Sequence, residues 1–272
     1  MTPDDAEAML RRWGSLPGPV EVSAIRTGSL ALDQALGVHG WPMGREIELY
    51  GGPGTGKTTL AYHALANAQA LGTPLLVTGQ YNAEYAEWLG VDQRNLMVTP
   101  YLSLLSNLSY APPLTVVDTP FFAAPDPPAD ATVLYLTETR TNLDAERTIY
   151  GRNTRTGKLN PSVLVRLVSS GVNVLNQRQN CTAVIQRNPY GLERTPVQFV
   201  INWGKGIDRA RELIEFGEKY GVISRNGNWL SLPEHNMQFN GIDNFARQLD
   251  WFPEIMDTLE QEIRSRSVMI GS

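Results

Sequence analysis

The residues best suited to chemistry form a glycine-rich segment that fits G-x-x-x-x-G-K-[ST] from Gly51 to Thr58. In such a segment the glycines let the backbone wrap a phosphate, so that N–H groups and the start of the next helix face the anion. The lysine reaches the β- and γ-phosphates, and the following hydroxyl binds Mg²⁺. We therefore predict a nucleoside triphosphate site at Gly51, Gly52, Pro53, Gly54, Thr55, Gly56, Lys57, Thr58 and Thr59.

The flanking residues match the strand and the helix that a phosphate-binding loop requires. Residues 46–50 alternate like a strand, and residues 59–66 have helical spacing. The alternative is a glycine-rich turn that fits the motif by chance. The strand before it and the helix after it argue against that alternative.

Composition limits the classes of protein that this chain can represent. Its 272 residues are 42% hydrophobic, enough for one good core and a small second unit. The sequence has no transmembrane run and no signal-peptide pattern, and the lone Cys181 excludes an internal disulfide framework. We expect a cytoplasmic location and no membrane partner. The net charge of −5 excludes a wholly basic nucleic-acid coat but leaves room for a local basic loop.

The order of the predicted elements indicates an α/β fold. Apolar segments of strand length recur at residues 74–78, 114–118, 132–136, 163–172 and 182–186. Because helices alternate with them, we predict a mainly parallel sheet. From residue 206 the pattern changes to a helix, a strand at 229–232 and two more helical stretches. We predict three parts: an N-terminal helix–strand arm (1–24), a core (25–205) and a small C-terminal α/β domain (206–272).

Two sequence blocks closely resemble the bacterial RecA recombinases. The first block reads Ile25-Arg26-Thr27-Gly28-Ser29-Leu30-Ala31-Leu32-Asp33, followed by Gly40-Trp41-Pro42-Met43-Gly44-Arg45. The second reads Asn202-Trp203-Gly204-Lys205-Gly206-Ile207, followed by Tyr220-Gly221-Val222-Ile223. The resemblance implies a RecA-like ATPase core that binds ATP and Mg²⁺ and assembles into helical filaments on single-stranded DNA. It also implies homologous pairing and strand exchange near the nucleoid.

The resemblance assigns further residues to the nucleotide site. Asp118 ends an apolar strand and matches the Walker B carboxylate that holds Mg²⁺ through water. Tyr85 matches the tyrosine that stacks on adenine, Asn82 replaces a neighbouring aspartate, and Trp203 belongs to the same site. Two plainer interpretations stay open: Asp118 starts a turn, and Tyr85 is a packed helix aromatic.

Two departures from the RecA pattern concern hydrolysis. Gln80 occupies the position of the glutamate that polarises the attacking water, and Glu138 occupies the position of a glutamine that senses the γ-phosphate. Because an amide cannot take a proton, we hypothesise that Glu138 supplies the carboxylate that Gln80 lacks. The competing interpretations are a slow or silent ATPase that still responds to ATP, and a solvated charge at a strand end.

The segment 140–160 is the predicted DNA-binding loop, with a net charge of +3 in an acidic protein. Arginines would contact phosphates and an aromatic ring would stack on bases. The residues we expect to contact single-stranded DNA are Arg140, Arg147, Tyr150, Arg152, Arg155 and Lys158. The alternative is a solvated basic surface loop. Whether duplex DNA is a second partner stays open.

Other departures weaken parts of the resemblance. RecA has more residues between Asp118 and the next strand, and Asn160-Pro161 replaces a Lys-Phe pair. Of the cations that reach a neighbour's nucleotide, Arg187 alone matches, although Arg194 could substitute and either could be an exposed arginine. The leading function is a compact recombinase. The alternatives are a nucleotide-gated assembly or regulatory protein with weak hydrolysis, and a ring ATPase.

Overall fold

The structure, a computed structural model, describes residues 22–106, 108–119, 127–128, 130–138, 140–141, 148–149, 161–191 and 193–271. Residues 1–21 of the predicted N-terminal arm lie outside these ranges. So do residues 123–126 and 129 of the proline- and alanine-rich stretch 123–131.

A large mixed sheet runs through the described residues. The strands before the C-terminal unit are β1 (Ala24–Ile25), β2 (Trp41–Pro42), β3 (Glu46–Gly51), β4 (Leu75–Thr78), β5 (Met97–Thr99), β6 (Thr115–Asp118), β7 (Val133–Glu138), β8 (Arg140–Thr141), β9 (Thr148–Ile149), β10 (Val163–Asn173), β11 (Arg178–Arg187), β12 (Pro196–Asn202) and β13 (Gly206–Ile207). Nine of these described strands form one sheet, in the order β13-β12-β11-β10-β3-β7-β6-β4-β5. The pairs β1–β2 and β8–β9 stand apart.

The large sheet has a parallel half and an antiparallel half. Every neighbouring pair from β5 across to β10 is parallel, whereas β10, β11, β12 and β13 pair antiparallel. The central parallel strands are buried on both faces, which is why β4 and β6 read as continuous apolar runs rather than as alternating ones. The predicted α/β class with a mainly parallel sheet is confirmed.

The main core lies between the sheet and one long helix. The helices of this part are α1 (Leu30–Ala35), α2 (Lys57–Ala68) and α3 (Ala83–Trp88). Leu60 and Leu65 of α2 are fully buried against Ile47 and Leu49 of β3. On the other sheet face, Leu105 of the 3₁₀ segment Leu102–Ser106 belongs to a smaller apolar cluster. The α2 packing fixes the end of β3 relative to the start of the helix.

The C-terminal residues form a second, smaller apolar cluster. Its elements are α4 (Arg209–Lys219), β14 (Ser224–Asn226), β15 (Trp229–Leu232), β16 (Met237–Asn240), α5 (Ile242–Leu249) and α6 (Pro253–Gly271), with the three strands in one antiparallel sheet. Leu213, Phe245 and Ile263 are fully buried together, and Leu30 of α1 joins them. The division at residue 206 stays a prediction, because the large sheet itself extends to Ile207.

Buried polar contacts join the first block of the RecA resemblance to the C-terminal unit. The Ser29 hydroxyl donates to Glu212 Oε1 and the Leu30 N–H donates to Glu212 Oε2, both at 2.6 Å. Ser29 also caps α1 by accepting the Leu32 N–H. Burial raises the pKa of Glu212 from 4.5 to about 8, although both hydrogen bonds act in the opposite direction.

A second buried carboxylate strengthens the same junction. Asp33 Oδ1 accepts the Thr27 N–H at 2.8 Å, and Asp33 Oδ2 pairs with Arg264 of α6 at 2.6 Å. Arg264 also contacts Glu260, which in turn pairs with Arg209. Removing one member would leave a buried charge without its partner, so this network fixes α1 against α4 and α6.

We expect Glu212 to make the fold less stable as the pH rises. Its folded-state pKa lies above its unfolded value, so its stabilising contribution is complete below about pH 4.5 and is lost as the pH rises through about 8. Glu212→Gln mimics the protonated acid and should remove this pH dependence. Urea unfolding of both proteins at several pH values between about 5 and about 9 measures the difference, with the exposed Glu234→Gln as the control. Parallel pH profiles for wild type and Glu212→Gln would contradict this.

Candidate nucleotide-binding site

The phosphate loop, residues 51–58, connects β3 to α2 at the carboxyl edge of the parallel strands. Gly54 and Gly56 have φ angles of +68° and +95°, in the left-handed region that glycine adopts without strain. Gly56 is the N-cap residue and Lys57 is the first residue of α2. The loop and the helix N-terminus therefore present backbone N–H groups at one place, as phosphate binding requires.

Lys57 is buried at the base of the loop. Its Nζ donates to the carbonyl oxygens of Gly51 at 3.0 Å and Gly52 at 2.8 Å. Burial lowers the pKa of Lys57, while the negative charges of Glu138 and Asp118 act to raise it. One cation and two carboxylates thus interact within the same site.

Strands β10 and β12 pack against the side of the phosphate loop that faces the protein. A Cβ at Gly51 would lie 2.4 Å from the Leu167 carbonyl oxygen of β10. A Cβ at Gly56 would lie 2.4 Å from Ile201 Cδ1 of β12. The glycines at these positions therefore allow the loop to pack directly on the antiparallel half of the sheet.

Sheet register brings the predicted polar residues to the same edge. Gly51 pairs with Glu138 in β7, and Thr78 pairs with Asp118 in β6. The β6–β7 register places Asp118 level with Leu136, because Val117 pairs with Tyr135. Glu138 on β7 and Gln80 beyond β4 therefore both lie two residues past the level of Asp118, on opposite sides of it.

The carboxylates at this edge have different surroundings. Burial raises the pKa of Asp118, with Lys57 opposing this and Glu138 adding to it. Glu138 is exposed at the end of β7. The Thr58 hydroxyl and the Asp118 carboxylate are hard oxygen donors of the kind that Mg²⁺ prefers while keeping several waters. These residues fit a magnesium site.

Aromatic residues occupy the predicted adenine side. Tyr85 Oη lies 2.7 Å from Thr59 Oγ1, and the Tyr85 ring lies 5.9 Å from the ring of Tyr62. Asn82 caps α3 by accepting the Tyr85 N–H at 3.0 Å. Burial raises the pKa of Tyr85. The hydroxyl contact anchors Tyr85 to α2, and its stacking on a base stays a prediction.

Trp203 lies in the turn between β12 and β13 and is 44% exposed. It borders a cleft of about 510 Å³ between this turn and α5, which Arg178, Lys205 and Asp250 also line. The Cβ position of neighbouring Gly204 is 3.8 Å from the Trp88 ring of α3. The end of α3 at Trp88 is therefore near this turn.

His63 of α2 is a structural contact that the sequence reasoning missed. Its Nε2 accepts the Ile207 N–H at 3.2 Å, so this nitrogen carries no proton and the imidazole is neutral. Burial lowers the pKa of His63 to about 4. A Cβ at Gly28 or at Gly206 would collide with its ring. The sequence held a signal for this contact, because Gly28 and Gly206 belong to the two blocks that carry the family resemblance.

Comparisons with known proteins agree with this arrangement. The model of the RecA N-terminal domain matches residues 8–101. Protein RecA of Zymomonas mobilis subsp. mobilis is 30% identical over 303 residues, covering 93% of this chain and 84% of that protein. The chain belongs to the RecA family. Protein RecA of Bartonella bacilliformis is 29% identical (96% and 88% covered) and that of Acidiphilium cryptum 27% (96% and 89%).

RecA-family membership supports a recombinase-type function in general terms. The alignments to the RecA proteins of Bartonella bacilliformis and Acidiphilium cryptum extend over 311 and 310 residues, more than the 272 residues of this chain. These relatives therefore contain segments without a counterpart here. The location of the shortened segment after Asp118 stays a prediction.

Arg187 is the last residue of β11. It pairs with Leu164 of β10, which pairs with Glu48 in the middle of β3, whereas Gly51 pairs with Leu167. Arg187 Nη1 donates to the Pro161 carbonyl at 3.1 Å. The action of Arg187 on the nucleotide of a neighbouring copy stays a prediction.

Most of the predicted DNA-binding residues lie outside the described ranges. These are Arg147, Tyr150, Arg152, Arg155 and Lys158. Arg140 begins β8, which pairs with β9. The segment thus leaves the large sheet directly after Glu138. Among the described residues, none of the helices combines the length and apolar character needed to cross a membrane.

We expect the two left-handed glycines to differ in their tolerance of a side chain. In Gly54→Ala the new Cβ would have no atom within 4 Å, so the free energy of unfolding should fall only by the backbone strain of about 1 kcal/mol. In Gly56→Ala the new Cβ would also collide with buried Ile201, so we expect the free energy of unfolding to fall by about 2 kcal/mol or more. Urea unfolding of both variants tests this. Equal losses would show that the packing behind Gly56 is unimportant.

Proposed function

We propose that this RecA-family protein is an ATP-dependent, filament-forming recombinase that binds single-stranded DNA and promotes homologous pairing and strand exchange. The observation that carries the proposal is the register that places Glu138 and Asp118 beside Lys57 at the phosphate loop. Family membership supports the recombinase class. Filament formation, strand exchange and the individual site residues are our inference.

The proposed roles follow from the chemistry of each side chain. Lys57 and the loop N–H groups bind the phosphates, and Thr58 with Asp118 would hold Mg²⁺, which neutralises charge on the phosphates when bound. Lys57 donates two of its three N–H groups to the carbonyls of Gly51 and Gly52, which leaves one donor for a phosphate. Tyr85 and Trp203 would flank the adenine, and Arg187 would act on the site of a neighbouring copy.

We infer that Glu138 is the carboxylate that activates water. It directly pairs with Gly51, and its charge acts on Lys57. Gln80 lies at the same level on the far side of Asp118 and can orient a water but cannot accept its proton. If Glu138 carries the carboxylate and Gln80 the amide, in the reverse of the RecA pattern, both groups still lie at the carboxyl edge of the parallel strands, where the phosphate loop is.

Replacing the Glu138 carboxylate by an amide should abolish hydrolysis but preserve binding. For Glu138→Gln we expect kcat for ATP to fall by about 10² or more, because a positioned base contributes on the order of 10²–10⁴. Affinity for ATP should stay within about three-fold of wild type, because the amide keeps the shape of the side chain. Steady-state phosphate release and equilibrium nucleotide binding measure the two quantities.

Glu84→Gln, an exposed carboxylate on α3, is the matched control and should leave kcat unchanged. Unchanged ATP hydrolysis in Glu138→Gln would contradict the proposal that the Glu138 carboxylate replaces the one that Gln80 lacks. In that case the Gln80→Glu variant becomes informative, because a gain of hydrolysis there would place the missing carboxylate at the ordinary family position.

One specific observation favours the alternative of a nucleotide-gated assembly or regulatory protein with little hydrolysis. Gln80 is exposed and makes a local loop with Thr78, whose hydroxyl accepts the Gln80 N–H at 3.1 Å. If Gln80 occupies the family glutamate position, as the RecA resemblance implies, the group there cannot act as a base. ATP-dependent filaments with negligible turnover would support this alternative.

The decisive test is ATP hydrolysis with and without single-stranded DNA, together with electron microscopy of the same samples. We expect DNA-stimulated turnover and helical filaments. DNA affinity should fall on the order of 10²-fold between about 50 and about 200 mM salt, because several phosphates are neutralised by the cations of residues 140–160.

The charge-neutralising variant Arg152→Gln/Arg155→Gln should weaken DNA binding and flatten its salt dependence. Arg94→Gln is the control, since Arg94 is exposed and pairs locally with Asp92. Equal DNA binding by wild type and the double variant would contradict the role of this loop. Hexameric rings instead of filaments would favour a motor ATPase.

A further inference from the structure

Each carbonyl of a phosphate loop needs a partner on the side away from the phosphate. In this loop, Lys57 Nζ donates hydrogen bonds to the carbonyls of Gly51 and Gly52. The Gly54 carbonyl accepts a hydrogen bond from Gln179 Nε2 at 2.6 Å, across 125 positions of sequence. Gly54 is therefore held by a side chain that the phosphate-loop motif does not contain.

Gln179 belongs to a row of β11 side chains behind the loop. Cys181, two residues further along the same strand face, donates its thiol to the Thr55 carbonyl at 3.5 Å. Burial raises the pKa of this thiol to about 12, so it stays protonated and able to donate. Two successive loop carbonyls are thus held by alternate residues of one strand.

The same strand also reaches the base side of the site. Gln177, just before β11, has a φ angle of +50°, which is uncommon for a residue with a side chain. Its carbonyl accepts the Trp203 N–H at 2.8 Å. The segment 177–179 therefore contacts both the phosphate loop and the turn that carries Trp203.

We propose that Gln179 is a positioning residue of the nucleotide site, whose amide fixes the Gly54 carbonyl so that the loop N–H groups face the phosphates. This inference rests on the proposed nucleotide binding at residues 51–58. Gln179 acts on the loop that holds the β-phosphate, which ATP and ADP share. Its loss should therefore weaken both nucleotides equally and leave the chemical step unchanged.

The test compares Gln179→Leu with Gln186→Leu, a matched substitution on the opposite face of β11. We expect Gln179→Leu to bind fluorescent ADP and ATP analogues with Mg²⁺ about three- to ten-fold more weakly, the usual size of a lost hydrogen bond. Its kcat at saturating ATP should equal that of wild type. Gln186→Leu should match wild type in all three quantities.

Hydrogen–deuterium exchange of the phosphate loop, measured without nucleotide, gives an independent readout. We expect faster exchange in residues 51–58 of Gln179→Leu only. Should that variant fold poorly, Gln179→Met also removes the donor and keeps an unbranched chain. Its loop exchange and affinities are expected to change in the same way.

Three outcomes would overturn the inference: wild-type affinity in both Gln179 variants, an equal loss in Gln186→Leu, or a loss confined to kcat. Failure of the wild-type protein to bind nucleotide would instead contradict the proposed function. The exchange measurement would still decide whether Gln179 holds the loop.

Discussion

The structure of the site depends on one constraint: a loop that turns its N–H groups towards a phosphate must turn its carbonyls towards the protein. Lys57 satisfies the carbonyls at the start of the loop, and β11 satisfies those at Gly54 and Thr55. The antiparallel half of the sheet is therefore part of the nucleotide site, although the sequence motif lies wholly between β3 and α2. Its strands β10 and β12 also leave no space for side chains at Gly51 and Gly56.

A second constraint is the order of the parallel strands. Because β7 lies between β3 and β6, the residue that ends β7 is adjacent to the phosphate loop, whereas the residue after β4 is further away. Exchanging a carboxylate and an amide between Glu138 and Gln80 thus moves the negative charge two strands closer to β3, from one side of Asp118 to the other. The same strand leads directly into the segment 140–160, so a base at Glu138 would be close in sequence to the proposed DNA contacts.

The sequence predicted most of what depends on local pattern. The glycine-rich loop, the strand before it, the helix after it and the two C-terminal helices follow from spacing alone. Short strands such as β5 and β13 carry too few residues for a period to appear. The role of Gln179 depends on the register of β11 against β10 and on the path of a distant loop, which no spacing rule contains. His63 could have been inferred only by asking why Gly28 and Gly206 have no side chain.

Several residues in the two blocks of the RecA resemblance join parts of the fold to each other. Ser29 and Leu30 are bound by the buried Glu212 of α4, so the first block is joined to the C-terminal unit. His63 lies on α2, the helix that begins at Lys57, and accepts the N–H of Ile207 in the second block. The helix that begins at the phosphate loop therefore packs against both blocks, with the neutral His63 imidazole as its contact to Ile207.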